Sequence, residues 1–314
     1  SQGLFGALES VFLSDKFTAT SWLTFTGGAR FTRFSGGLTE NEAEPRIGAA
    51  LRIPRLNWVL RAFYGRYYQP PPLVSIQGPL LQYCTSSADC GFVPLPGERD
   101  EEHQFGLTIP VRGWTLSFDT FETRSRNYFD HNNIGESEVF VPITIANARI
   151  RGNEVTLRSP NLWNRVEIHL AYSNQMAQAK GAITGGLICY NPTDPAACAY
   201  STEYEPLDHD QRNTLNVGFK SVLPWNAYAS SNIYYGSGFS NGSPNAQYPG
   251  AYLPGHAQVD VSAGKNFGEK YSVSVTALNI ANRHLLIDNS LTFGGYHYNN
   301  PREVYVQFRY RFHY

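Results

Sequence analysis

Charge is scarce in this chain of 314 residues: Asp, Glu, Lys and Arg make up 16%, and their formal sum is -1. Soluble domains carry about 25% charged residues, and a near-neutral balance gives no electrostatic reason to expect a nucleic-acid partner. Long apolar runs are missing as well. No stretch approaches the ~20 residues of a membrane-spanning helix. Methionine occurs once and does not begin the chain, and Ser1-Gln2-Gly3 has no signal-peptide pattern. The expectation is a mature, trimmed or partial chain, and of these a fragment. Cysteine is limited to four residues in two local pairs, Cys84 with Cys90 and Cys189 with Cys198. Both pairs sit in polar, turn-rich segments, which reads as disulfides formed in an oxidising compartment. The rival, metal binding, lacks a His or further Cys at zinc-ligand spacing near either pair.

What the chain has in plenty is aromatic residues, at 14%, and alternation. In the segment Val304 to Tyr314, Val304, Val306, Phe308, Tyr310, Phe312 and Tyr314 fall on one face of a strand. Tyr305, Gln307, Arg309, Arg311 and His313 fall on the other. The same period of two recurs at Leu23, Phe25 and Phe31, at Trp58, Leu60, Ala62 and Tyr64, and at Trp114, Leu116 and Phe118. It returns at Val166, Ile168, Leu170 and Tyr172, and at Val273, Val275 and Ala277. Segment 143–159 is long enough for one strand, with a bulge expected at Gly152. No segment keeps a helical period, so the chain reads as all-β.

Connections supply an independent signal. Tight ones are expected at Ser14-Asp15, Pro54-Arg55, Arg112-Gly113, Pro160 to Asn164, Leu223-Pro224 and Gly268-Glu269. Long ones are expected over 35–44, 69–100, 127–142, 178–209, 237–253 and 281–302. Short periplasmic turns alternating with long outer loops belong to antiparallel transmembrane β-barrels. About thirteen strands result, an odd number for a barrel expected to close with an even one. An open sheet would leave unpaired edges in lipid, so further strands are expected upstream, or one has escaped the count.

Seven stretches in order resemble the C-terminal part of TonB-dependent outer-membrane receptors. They are Trp22 to Phe31 (Trp-Leu-Thr-Phe-Thr-Gly-Gly-Ala-Arg-Phe), Pro45 to Gly48, Leu60 to Arg66, Ala148 to Glu154, Asp208 to Leu215, Leu278 to Arg283, and Pro301 to Tyr305. The resemblance implies about 13 strands of a ~22-stranded barrel, filling 1–314 as one domain, with the family's N-terminal plug domain absent. It also implies an importer of a scarce, bulky nutrient (a siderophore, vitamin, glycan or peptide) in the bacterial outer membrane. The partners implied are outer-membrane lipid, the TonB energy-coupling complex acting through the absent plug, and the barrel-assembly machinery acting through the C-terminal strand. The family usually ends on Phe, whereas Phe312 is followed here by His313 and Tyr314. A passive diffusion channel of fourteen strands and a secreted soluble β-sandwich that binds glycans are the alternative readings.

No catalytic, metal or cofactor site is nominated. Asp208 and Asp210 point opposite to His209 in a strand, so the three do not converge; a structural pairing role is expected. Glu167 and His169 share the inner face, where they line the lumen or meet a plug. Arg212, Lys220, Arg309 and Arg311 could form a basic inner wall that attracts anionic chelates, or pair with plug charges. Ligand contact is assigned only by region, to tyrosines of the long loops: Tyr190, Tyr200, Tyr204, Tyr248, Tyr252, Tyr296 and Tyr298. Tyr offers a flat area with a polar tip at low entropic cost, and it is also the ordinary interface residue of barrels.

Overall fold

The computed structural model describes residues 3–77, 92–133, 140–187, 199–290 and 295–312. All four cysteines and Tyr190 lie outside these residues, as do His313 and Tyr314. Among the described residues there are seventeen strands: β1 (Ala7–Thr20), β2 (Leu23–Ser35), β3 (Thr39–Ile53), β4 (Trp58–Gln69), β5 (Phe92–Val93), β6 (Glu98–Val111), β7 (Trp114–Asn133), β8 (Phe140–Arg158), β9 (Val166–Leu187), β10 (Ala199–Pro206), β11 (Asn213–Leu223), β12 (Ala227–Gly236), β13 (His256–Phe267), β14 (Tyr271–Leu278), β15 (Leu286–Asp288), β16 (His297–Tyr298) and β17 (Glu303–Tyr310). Thirteen form one continuous antiparallel path, β1-β2-β3-β4-β6-β7-β8-β9-β11-β12-β13-β14-β17. β5 and β10 pair with β9 off that path, and β15 with β16 forms a separate hairpin.

Register makes the two faces continuous across the sheet. Leu51, Leu60, Leu107, Phe118, Val155 and Tyr172 stand opposite one another in a single row. The next row toward the short turns carries Ile109, Leu116, Leu157, Leu170, Val217 and Ile233. Farther along, Val275 faces Val306 and Val273 faces Phe308. The opposite face carries Ser117, Thr156, Glu167, Lys220, Asn232, Asp260, Ser262 and Thr276. One face is built to meet hydrocarbon and the other a polar lumen. Many apolar side chains remain open to the surroundings, for example Phe105 at 58% and Val306 at 73%, which in water would be costly.

All five tryptophans fall at the short-turn end: Trp22, Trp163 and Trp225 in turns, Trp58 and Trp114 at the first residue of β4 and β7. Trp163 and Trp225 adopt φ of 51° and 59°, a left-handed conformation that costs a non-glycine residue roughly 1 kcal/mol. Seating an amphipathic ring at a membrane–water interface offsets that strain. This girdle marks the level of one interface.

Most expected turns are present. Arg112-Gly113 has φ of 49° and 84°, the twist that suits a two-residue hairpin. Three expectations are corrected. Ser14-Asp15 lies inside β1, paired with Gly28 and Gly27; the turn falls at Ser21-Trp22, because Phe17 and Phe25 pair across the strands. The long connection over 35–44 is a three-residue link, Gly36-Gly37-Leu38, with Gly37 at φ 92°. Glu40, Glu42 and Glu44 look like loop sequence but extend β3 above the apolar rows. The bulge expected at Gly152 is also absent: Gly152 pairs in register with Phe121 and Gln175. A Cβ there would come within 2.9 Å of the Phe121 ring, so glycine makes room for an aromatic ring. The register shifts on β8 occur between Thr144 and Asn147 instead.

Candidate functional site

At the long-loop end, strand tops and loops are tied together by polar side chains. Segments 237–255 and 279–302 are joined through Asn289, whose Nδ2 donates to Asn241 Oδ1 at 2.7 Å and to the Ser243 carbonyl at 3.0 Å. Asn245 Nδ2 donates to the Tyr296 hydroxyl at 3.1 Å, and the Tyr248 and Tyr296 rings lie 6.4 Å apart. Asn279 is almost fully buried and closes the base of its loop by donating to the carbonyls of Arg283 and Asn300. Tyr296 and Tyr298 are about half exposed. Two aromatic rings flanked by amide groups form the face most suited to a bulky ligand with both flat and polar surface.

The other nominated tyrosines separate from that face. Tyr252 donates its hydroxyl to Asp210 Oδ2 at 2.9 Å and accepts from Arg212 Nε at 2.6 Å. Asp210 is buried, accepts from the Ala177 amide at 2.7 Å and pairs with Arg212 at 3.0 Å. The Asp208-His209-Asp210 stretch thus locks β9, β11 and loop 237–255 together. Tyr200 packs beside Tyr128 against the cluster of Ile143, Ile145, Ala148, Ala179 and Leu207. Desolvation by these neighbours raises the Tyr128 hydroxyl to about 12 and the Tyr200 hydroxyl further. Tyr204 stacks between the Arg149 guanidinium at 4.7 Å and Lys180 Nζ at 4.6 Å.

Two features escaped sequence reasoning. Arg99 reaches across the gap where β3 and β4 stop pairing and binds Glu42 at 2.6 Å and Glu40 at 3.0 Å. Glu40 also accepts from the Tyr68 hydroxyl at 2.7 Å and the Gly97 amide at 2.9 Å. The row of glutamates on β3 was the available signal. Glu98 is buried at the top of β6, accepts from the Phe129 amide at 2.8 Å, and sits near Asp100. Burial, reinforced by that second carboxylate, pushes its own carboxyl well above the usual range.

The four basic residues expected to form one inner wall are not gathered. Arg212 is consumed by Asp210 at the loop end. Lys220 stands opposite Glu167. Arg309 pairs with Ser272 near the short turn, where the Arg311 amide donates to the Lys270 carbonyl. Glu167, His169, Lys220 and Asp260 do line a common cleft on the polar face, as expected for a lumen wall.

The family model for the β-barrel of TonB-dependent receptor-like proteins matches residues 4–282. No curated protein sequence matches. Among solved structures, the FrpB iron transporter of Neisseria meningitidis superposes with a TM-score of 0.69 at 12% identity, covering 99% of this chain and 47% of that one. The ferric-catecholate import receptor Fiu of E. coli K12 gives 0.65 at 14% identity, covering 96% and 44%. The copper transporter OprC gives 0.68 at 11%, covering 98% and 48%. The chain thus spans less than half the length of these structures, and at such identities the likeness is one of fold. With the match to the family model, two faces in lipid register and a girdle at one interface, the chain belongs to the TonB-dependent receptor β-barrel family of the outer membrane.

Proposed function

We propose that this chain is one wall of a receptor barrel that imports a scarce, bulky nutrient of the siderophore, vitamin, glycan or peptide class. The observation that carries the reading is the cap of Tyr248, Tyr296 and Tyr298, set among Asn241 and Asn245 above a polar lumen face. Capture rests on stacking and amide hydrogen bonds, and no covalent chemistry is involved. β1 and β17 each pair on one side among the described residues, and unpaired strand edges are not viable in lipid. Those edges take their partners from additional strands of the complete receptor, and a plug transmits energy from the TonB complex. The C-terminal strand is offered to the barrel-assembly machinery.

The test is uptake by the full-length receptor in cells starved for each nutrient class in turn. One class should be imported in an energy-dependent way, and Tyr296→Ala should weaken its capture about tenfold, or ~1.4 kcal/mol, without loss of folded receptor. Uptake that persists after the membrane is de-energised, with steady ion conductance, would instead identify a passive channel.

A further inference from the structure

Just above the apolar rows, the outward face changes to cations within two residues. On β7 the outward residues run Trp114, Leu116, Phe118, Thr120, then Glu122 and Arg124. Eight to ten residues separate Trp114 from this pair, about 26–33 Å along a strand and ~20–25 Å in height at the usual tilt. The outward apolar band of such barrels is about 25 Å tall. Glu122 and Arg124 therefore stand at the level of the outer-leaflet headgroups.

Arg124 lies directly opposite Arg149, and Glu122 opposite Arg151. Like charges placed directly opposite are destabilising, and two carboxylates border the three arginines: Glu122, bonded to Arg124 at 2.9 Å, and Glu101, opposite Arg124 on its other side. Glu101, the next carboxylate along the row, is already paired with Arg66 and His103. Lys180 adds a fourth cation across the Tyr204 ring from Arg149. Glu203 and Glu205 flank Tyr204 but form no ion pair with these cations among the described residues. Arg149 Nε is buried with no hydrogen-bond partner, and the contact of Arg151 is the Met176 sulfur at 3.8 Å. Beside them runs a groove of about 650 Å³ lined by His103, Glu122, Arg151, Asn153 and Asn174.

We propose that this outward patch binds the phosphorylated sugar headgroup of an outer-leaflet lipid, with Arg124, Arg149 and Arg151 on phosphate and Asn153 and Asn174 on sugar hydroxyls. Guanidinium groups match phosphate oxygens in paired hydrogen bonds, and a bridging phosphate turns the Arg124–Arg149 repulsion into attraction. The groove faces the bilayer, where acyl chains would lie over Phe105 and Phe118.

The experiment uses full-length receptor in lipid nanodiscs and a bis-phosphorylated, acylated glucosamine disaccharide as probe, with bound lipid counted by native mass spectrometry after detergent exchange. The wild type should retain the probe and release the same lipid stripped of its phosphates. Arg124→Gln/Arg149→Gln should lower retention about tenfold or more, while heat-modifiable gel mobility confirms a folded barrel. Equal retention of the dephosphorylated lipid, or unchanged retention by the folded double variant, would overturn the proposal. Complete displacement by excess inorganic phosphate would also overturn it, by showing a free-anion site.

Discussion

Val155 and Thr156 are neighbours in sequence but face opposite solvents. Val155 stands in the row of Leu107, Phe118 and Tyr172, four residues above the girdle level and near the middle of the apolar band. Thr156 stands opposite Ser117 and Ala171 on the polar face. An arginine at the bilayer midplane on a barrel's lipid face costs about 2–4 kcal/mol, which is roughly a 30- to 700-fold loss in the folded-to-unfolded ratio. On the lumen face the guanidinium stays in water among Ser, Thr and Glu groups, and the cost should fall within about 0.5 kcal/mol. Reversible urea unfolding of the full-length receptor in lipid vesicles, followed by tryptophan fluorescence, measures both. Val155→Arg should shift the midpoint strongly and Thr156→Arg hardly at all. Equal shifts, or the reverse order, would refute the assignment of faces on which every other statement rests.

Other outcomes follow from single sites at the loop end. Asp210→Ala removes a buried carboxylate and leaves the partly buried Arg212 unpaired and Tyr252 without its acceptor; loss of about 3 kcal/mol is expected, with faster proteolysis of segment 237–255. Glu98 has a carboxyl raised in the fold, so the folded state holds its proton more tightly than the unfolded chain. Stability from this group is fully present at acid pH and declines as pH rises from the unfolded value through the folded one. Glu98→Gln should flatten that decline and stabilise the receptor at neutral pH, read as the midpoint of thermal unfolding against pH. Peptide mapping without reductant should recover Cys84 linked to Cys90 and Cys189 linked to Cys198, with no thiol open to alkylation.

Sequence revealed the fold where one face meets hydrocarbon and failed where neither does. Between Trp114 and Phe118, apolar and polar residues alternate because lipid and water select them by turns. Above Thr120 neither face of the strand meets hydrocarbon, the alternation lapses, and 127–142 and 178–209 look like loops. The structure carries β7 to Asn133 and β9 to Leu187, held there by backbone pairing rather than by a pattern of side chains. Ser14-Asp15 misled for a related reason: the polar run Ser14-Asp15-Lys16 inside a strand resembles a turn, and the deciding Phe17–Phe25 pairing is a cross-strand fact. The tyrosines of the candidate site were legible as a population, but their separation depended on partners such as Asp210 and Lys180, which sequence spacing did not bring near.

Strand length itself carries part of the argument. Crossing the hydrocarbon takes about 9–11 residues at the usual tilt, yet β7, β8 and β9 contain 20, 19 and 22. Half of each strand therefore stands beyond the apolar band, at roughly 3.3 Å per residue. This extension supports the Tyr128–Tyr200 packing and the Asp210 lock that hold the loops in place. On the outer side it carries Arg124, Arg149 and Arg151 at the height where hydrocarbon ends and headgroups begin. A wall built only to span lipid would need neither; a wall that both raises a capture surface and grips the outer leaflet needs both, on the same three neighbouring strands.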